Sequence, residues 1–140
     1  MASRRKAREL ALQMLFQWEQ GAHSPEHVIS TFLHAQAVDP EEESFARALF
    51  EGTVREVQNL DRHVTAQAEH WRLERMAAVD RNLLRVALYE MLHHPETPPA
   101  VIINEALEMA RRFSGRDSVE FVNGVLDAIR KTLPAANAAR

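Results

Sequence analysis

Apolar residues along the chain recur every three or four positions, and no segment alternates apolar and polar residues as a half-buried strand does. This spacing predicts amphipathic helices joined by short loops, and no convincing strand. In chain order, the predicted helices are 3–20, one from near 25, one from near 40, one from near 61, then 76–92, one containing 102–113, and one over 117–133. We therefore expect an all-α protein with a single domain, 1–133, followed by a flexible tail, 134–140.

Glycine, proline and the apolar stripes indicate where several of these helices begin and end. Gly21 ends the first helix, and prolines stand in the first turns of the second and third. The apolar stripe assigned to the third helix consists of Phe45, Leu49, Val54 and Leu60. The fourth segment contains Trp71 and Leu73. Because segment 76–92 is apolar on nearly all sides, it is predicted to be the central, buried helix.

The last predicted helix carries an aromatic residue beside its buried stripe. Asp117 is expected to be the N-cap, with Glu120 at the capping-box spacing. The buried stripe is expected to contain Val122, Val125, Leu126, Ile129 and Leu133. Phe121 lies about 100° from the centre of that stripe, on the same side as Gly124. The surface formed by Phe121 and Gly124 is expected to contact either a flat base, which would stack on Phe121, or a second helix, which would approach Gly124 closely. The sequence of the last helix, taken alone, favours the second helix.

Composition excludes several classes of protein. The 140 residues contain no cysteine, so a disulfide framework and a thiolate metal site are excluded. No apolar run approaches the roughly 20 residues of a membrane span, and no signal-peptide apolar region follows the basic N-terminus. The chain is therefore expected to be cytoplasmic, with no membrane partner.

Charge is unevenly distributed, although the net charge is only −3. Residues 1–8 carry four basic residues and no acidic one: Arg4, Arg5, Lys6 and Arg8, which we call the basic cluster. Residues 39–56 are acidic instead, with six carboxylates against two arginines. A uniformly basic nucleic-acid binder is therefore excluded, whereas a local phosphate-binding patch is not.

Catalytic and metal-binding patterns are weak. His93 and His94 are adjacent and so point about 100° apart on a helix, while Ser24 and Pro25 separate His23 from His27. No nucleophile elbow and no phosphate-binding glycine loop are present. We expect no enzymatic activity, no metal and no cofactor.

Six short motifs, in their order and spacing, resemble the NusB family of transcription antitermination factors nearly from end to end. They are Arg4-Arg5-Lys6-Ala7-Arg8-Glu9, Ala11-Leu12-Gln13-Met14-Leu15-Phe16-Gln17-Trp18, Trp71-Arg72-Leu73-Glu74-Arg75-Met76, Arg85-Val86-Ala87-Leu88-Tyr89-Glu90-Met91, Ile102-Ile103-Asn104-Glu105-Ala106, and Phe121-Val122-Asn123-Gly124-Val125-Leu126-Asp127. Each motif alone is weak, but the ordered set is specific. One departure is Phe16, where the family often has tyrosine; phenylalanine can stack but has no hydroxyl group to donate a hydrogen bond.

The resemblance implies a fold and a function that periodicity alone does not supply. The implied fold is two small helical bundles packed together. The implied activity is binding of boxA RNA in ribosomal RNA leader transcripts, together with NusE, a small-subunit ribosomal protein. The pair would help load an antitermination complex onto RNA polymerase. Some family members form homodimers through the RNA-binding surface, so a homodimer is a further expectation.

The resemblance also implies which residues make these contacts. RNA is expected to contact the basic cluster and the start of the last helix: Arg4, Arg5, Lys6, Arg8, Asp117, Ser118 and Phe121. For Phe16 two roles are equally favoured: contact with RNA at the edge of the binding surface, and packing on a second face of the first helix. The acidic residues expected to contact NusE are Glu74, Asp80 and Glu105. The competing interpretations are a solvated basic tail, a purely capping Asp117 and ordinary solvated helix charges.

One alternative function comes from another class of protein. Certain ribosomal RNA cytosine methyltransferases carry a similar helical module at their N-terminus, which directs the enzyme to RNA. A chain of 140 residues that ends in a Pro/Ala-rich tail is expected to contain no methyltransferase domain. The antitermination factor is therefore the preferred interpretation.

Overall fold

The computed structural model describes residues 3–21, 23–34, 38–68 and 73–133. These ranges form seven α-helices and one short 3-10 helix, with no strand. The α-helices are α1 Arg4–Gly21, α2 Pro25–His34, α3 Pro40–Arg55, α4 Val57–Gln67, α5 Ala78–His93, α6 Pro99–Phe113 and α7 Arg116–Thr132, and the 3-10 helix is Leu73–Arg75. The all-α prediction is confirmed. The predictions for Trp71 and for the tail, 134–140, lie outside the described residues.

The chain divides into two compact units, Met1–Arg55 and Glu56–Arg140. In the first unit, α1 packs mainly against α3, and α2 contacts both. Small residues on the two long helices, Ala7, Ala11 and Ala46, have no solvent exposure and allow the helices to approach closely. Larger side chains fill the remaining core: Met14, Leu15, Leu49 and Phe50.

The second unit is built around α5. Residues 82–91 of this helix are buried without interruption, and α4, α6 and α7 all pack against it. The prediction of a central helix is therefore confirmed. A helix covered on all sides carries few charges unless they are paired, and Arg85 shows how pairing is achieved. Its guanidinium donates to both carboxylate oxygens of Asp61 (2.7 and 2.9 Å) and to Oδ1 of Asn82 (3.0 Å), tying α5 to α4.

The boundary between α3 and α4 differs from the prediction. The stripe assigned to one helix is split, because Phe45 and Leu49 lie on α3 whereas Leu60 lies on α4. The fourth helix begins at Val57 rather than near Asp61. The turn at Glu56 carries neither proline nor glycine, and the apolar spacing resumes directly after it, so no local signal marks the break. Glu56 instead pairs with His93 of α5 (2.8 Å), a contact between residues far apart in sequence.

Across the described ranges, no helix combines the length and the apolar character needed to cross a membrane.

Candidate nucleic-acid interface

The junction between α6 and α7 shapes the first candidate surface. The backbone N–H groups of Ser114 and Gly115 both donate to the carbonyl of Ala110 (2.9 and 3.0 Å), which closes α6. The chain re-enters a helix at Arg116, with Gly115 at the N-cap position. The prediction that Asp117 is the N-cap is therefore wrong. Asp117 lies inside the first turn of α7, and no side chain caps this helix.

An open cleft of about 500 Å³ lies beside the start of α7. One wall comes from the chain leading into α5 and from its first turn, and the other wall comes from the first two turns of α7. The lining residues are Arg75, Met76, Ala77, Asp80, Asp117, Ser118, Glu120 and Phe121. This volume lies within the range of small-ligand sites. The structure thus brings Asp117, Ser118 and Phe121, which are predicted to contact RNA, together with Asp80. Asp80 is predicted from the sequence to contact NusE.

Asp80 forms a polar, nearly closed floor for this cleft. Its side chain is only 8% exposed, so it is not a solvated helix charge. Ser118 Oγ donates to Asp80 Oδ2 (2.9 Å), and Ser114 Oγ lies 2.7 Å from Ser118 Oγ. Because Ser118 has a single hydroxyl proton, Ser114 must be the donor in the second contact. Asp80 Oδ1 is buried and has no hydrogen-bond partner among the described residues, so this oxygen has an unused capacity to accept.

Arg81 fixes the wall that faces α7. Its guanidinium donates to the carbonyl oxygens of Leu73 and Met76, both at 2.9 Å. These bonds hold the short 3-10 helix and the residues after it against the start of α5. Sequence reasoning did not single out Arg75 or Met76 as site residues. Both stand in the motif that begins at Trp71, but no helical periodicity points toward them.

Phe121 lies on the rim of the cleft and is half-buried. The adjacent stripe of Val122, Val125, Leu126 and Ile129 is buried, as predicted. Leu133, the last predicted member of that stripe, lies past the end of α7 and is only half-buried. The aromatic ring is thus held beside the core of the second unit rather than inside it.

Gly124 does not serve close helix packing. It is exposed, and a Cβ atom added to it would meet nothing within 4 Å. The interpretation that this side of α7 meets a second helix within the described structure is therefore wrong. Approach of a ligand to this surface is the alternative that remains from the sequence.

The basic cluster forms the second candidate surface, at the start of α1 in the first unit. Ser3 Oγ accepts a hydrogen bond from the backbone N–H of Lys6 (3.1 Å), so Ser3 caps the helix. Arg4, Arg5 and Lys6 are exposed, whereas Arg8 is only 6% exposed. The four residues are therefore not equally accessible to a ligand.

Phe16 is exposed on α1, with 42% of its surface accessible. The sequence left this residue divided between a packing role and an RNA edge. An exposed ring of this size does not contribute to a packed face within the described structure, so the packing role loses its support.

The structure describes the side chain of only one of the two remaining acidic residues that are predicted to contact NusE. Glu105 is half-buried on α6. Glu74 lies in the 3-10 helix Leu73–Arg75, but its side chain lies outside the described part of the structure. Across the described ranges, no group of three or more histidine, aspartate or glutamate side chains could hold a metal ion.

The geometry defines a class of protein: a helical binding protein with an exposed cationic helix start and a cleft that has an aromatic rim and an acidic floor. The chain belongs to the NusB family, whose family model matches residues 5–131. It is 53% identical to the transcription antitermination protein NusB of Koribacter versatilis over 135 residues, which is 95% of this chain and 92% of that protein. It is 50% identical to the transcription antitermination protein NusB of Solibacter usitatus, covering 99% of this chain and 95% of that protein.

Solved structures confirm the fold. NusB of T. maritima superposes with a TM-score of 0.91 at 33% identity, over 100% of both chains. A chain in a crystal structure of antitermination factors NusB and NusE with dsRNA superposes with a TM-score of 0.85 at 23% identity, over 93% of this chain and 97% of that chain. The second match is a likeness of fold.

Proposed function

We propose that this chain is an RNA-binding transcription antitermination factor that binds boxA-type RNA together with NusE, in the cytoplasm. It acts by binding and catalyses no reaction. Family membership supports the antitermination role. The structural observation that carries the RNA proposal is the cleft, which is lined by the Phe121 ring and by Asp80, whose buried Oδ1 has no hydrogen-bond donor among the described residues.

The cleft suits a nucleobase better than a phosphate group. Among the described lining residues, Asp80, Asp117 and Glu120 supply three carboxylates, and Arg75 supplies the one positive charge. Carboxylates repel phosphate but accept hydrogen bonds from the N–H groups of base edges. A base stacked on Phe121 would present its edge toward Asp80 and could donate to Oδ1, which has no donor among the described residues. In this proposal Asp80 contacts RNA rather than the protein partner.

In this proposal, the basic cluster in the first unit makes the contacts with phosphate groups. Arginine binds phosphate bidentately through its planar fork, and exposed cations at the start of α1 are accessible to the RNA backbone. Backbone contacts position an RNA, whereas base contacts specify its sequence. The proposal therefore assigns affinity mainly to the basic cluster and selectivity mainly to the cleft. Phe16 contributes a second exposed aromatic ring for contact with RNA. Ser118 contributes the hydroxyl group that donates to Asp80 and orients it.

NusE is proposed to contact acidic residues of the second unit, with Glu105 and Glu74 as candidates. Both interactions can be measured by filter binding of a boxA-type RNA, with and without purified NusE, against an RNA of the same length and scrambled sequence. We expect tighter binding to the boxA-type RNA and a further gain when NusE is added. Equal binding of the two RNAs in both conditions would contradict the assignment of boxA as the ligand.

Asp117 should weaken RNA binding through its charge. Because it does not cap α7, Asp117→Asn and Asp117→Ala should have the same small effect on stability. Loss of a carboxylate from the first helical turn costs about 0.3–1 kcal/mol. Both variants should bind RNA as tightly as the wild type or tighter, because a negative charge that repels the polyanionic RNA is removed. Thermal melts and RNA titrations of the pair test this. Markedly weaker binding by Asp117→Asn would show that the carboxylate accepts a hydrogen bond from the RNA.

Gly124→Ala should separate stability from binding. Alanine stabilises a helix interior by up to about 1 kcal/mol relative to glycine, and open space surrounds the added methyl group. The melting temperature should therefore rise. If RNA approaches the backbone beside Phe121, its affinity should fall in the same variant. A rise in stability with unchanged RNA affinity would show that Gly124 does not serve RNA approach.

A further inference from the structure

The start of α1 is held in place by side chains from the first turns of α3. Glu42 Oε2 accepts a hydrogen bond from the backbone N–H of Ser3 (2.8 Å). The ring of Phe45 lies under two members of the basic cluster, with its centroid 4.1 Å from the guanidinium carbon of Arg4 and 5.7 Å from that of Arg8. All of these residues belong to the first unit. The basic cluster is therefore not a solvated tail, because three contacts order it.

The distances indicate stacking of arginine on an aromatic ring. A cation within about 6 Å of a ring centroid is attracted by the negative face of the ring, and both arginines meet this limit. Arg8 is also largely buried, which strengthens such a contact by excluding water. Phe45 itself is half-buried, so its ring is supported by the packing of α3 on α1.

This arrangement is compatible with phosphate binding by Arg4, which is exposed. Stacking uses the face of a guanidinium, whereas phosphate oxygens are bound by N–H groups in its plane. A long arginine side chain loses rotamer freedom when it binds a ligand, and a side chain that is already ordered loses less. A ring that orders Arg4 before RNA arrives therefore increases affinity without touching the RNA.

We propose that Phe45 is a positioning residue for RNA binding, which preorganises the exposed Arg4 for the RNA backbone, while Arg8 is buried against the same ring. This inference rests on the proposed RNA-binding function. Glu41 and Glu42 line the same small cavity as Arg4 and Phe45, so incoming phosphate competes there with carboxylates. That competition keeps the cluster selective for ligands that make several contacts at once.

Phe45→Leu tests the proposal, because leucine keeps an apolar side chain but removes the aromatic face. We expect affinity for a boxA-type single-stranded RNA to fall about two- to tenfold, the effect of having to order one long side chain when the RNA binds. The charges are unchanged, so the slope of log affinity against log salt should stay at the wild-type value. Phe45→Tyr restores the ring and should restore affinity. Phe113→Leu is the matched control, because Phe113 also lies beneath an arginine, Arg112 at 5.2 Å, outside the basic cluster.

A double-mutant comparison separates positioning from a general loss of structure. In a chain that already carries Arg4→Ala and Arg8→Ala, Phe45→Leu should have no further effect on RNA affinity. The same fold loss in both backgrounds would overturn the proposal, as would wild-type affinity of Phe45→Leu in the intact chain. Failure of the RNA-binding function itself looks different: the wild type would not bind the RNA, or replacing the whole basic cluster would change nothing.

Discussion

RNA binding by this protein should become nearly insensitive to salt when Arg4, Arg5, Lys6 and Arg8 are all replaced by alanine. Each phosphate contact to a single strand contributes about 0.7 to the slope of log affinity against log salt. Three of the four side chains are exposed, so the magnitude of the slope should be smaller by about 2 in the variant than in the wild type. For the wild type, these contacts alone correspond to an affinity loss of about twentyfold between 50 and 200 mM salt.

The control for this experiment removes the same charge elsewhere. Exposed cations on other helices are available for it: Arg62, Arg111, Arg130 and Lys131. Their joint replacement should leave the slope close to that of the wild type. Because Arg8 is buried against Phe45, thermal melts should accompany the measurements, and a triple variant that retains Arg8 should show most of the effect. An unchanged slope in both the fourfold and the triple variant would rule out the phosphate-binding role.

Replacement of Phe121 by alanine should weaken RNA binding by about 1–3 kcal/mol, the range for loss of one stacked base. At the upper end this is more than a hundredfold in dissociation constant. The stability of the fold should change much less, because Phe121 lies on the rim of the cleft and beside the buried stripe of α7. RNA titration and thermal denaturation of the same variant measure the two effects separately.

Two further substitutions sharpen this test. Phe121→Trp keeps an aromatic face and should retain RNA binding, whereas Phe121→Leu keeps apolar character without the face and should lose it. Val122→Ala provides the opposite control, because Val122 is fully buried and its truncation should lower stability with little direct effect on binding. If Phe121→Ala instead lowers stability by about 3–5 kcal/mol, as a core phenylalanine does, its ring serves the fold.

Local patterns predicted most of the helices. Prolines at the starts of α2 and α3, Gly21 at the end of α1 and the apolar character of 76–92 each act within one helix. The position of Phe121 beside the buried stripe, where its ring is half-buried, is predicted by its angle on its own helix. These features depend on residues within a turn or two of one another, and helical periodicity reports such relations directly.

The errors arose where a boundary had no local signal or more than one possible signal. At Glu56 the spacing of apolar residues continues across a break between helices that pack in different units. At the start of α7, Asp117 has a capping residue's chemistry, but Ser114 and Gly115 close α6 so near to it that Gly115 takes the N-cap position. The packing role predicted for Gly124 is wrong, because the sequence does not reveal what faces a glycine.

The sequence by itself determined the helical class, the family, the cationic start of α1 and the aromatic residue near the start of α7. The tertiary structure decided what these residues do together. Ser118 donates to Asp80 across 38 positions, and the other carboxylate oxygen of Asp80 has no donor in the described part of the chain. Phe45 lies beneath Arg4 although the two are distant in the chain. Such pairings depend on how helices dock, and docking is set by the summed burial of many side chains, so no short sequence pattern encodes it.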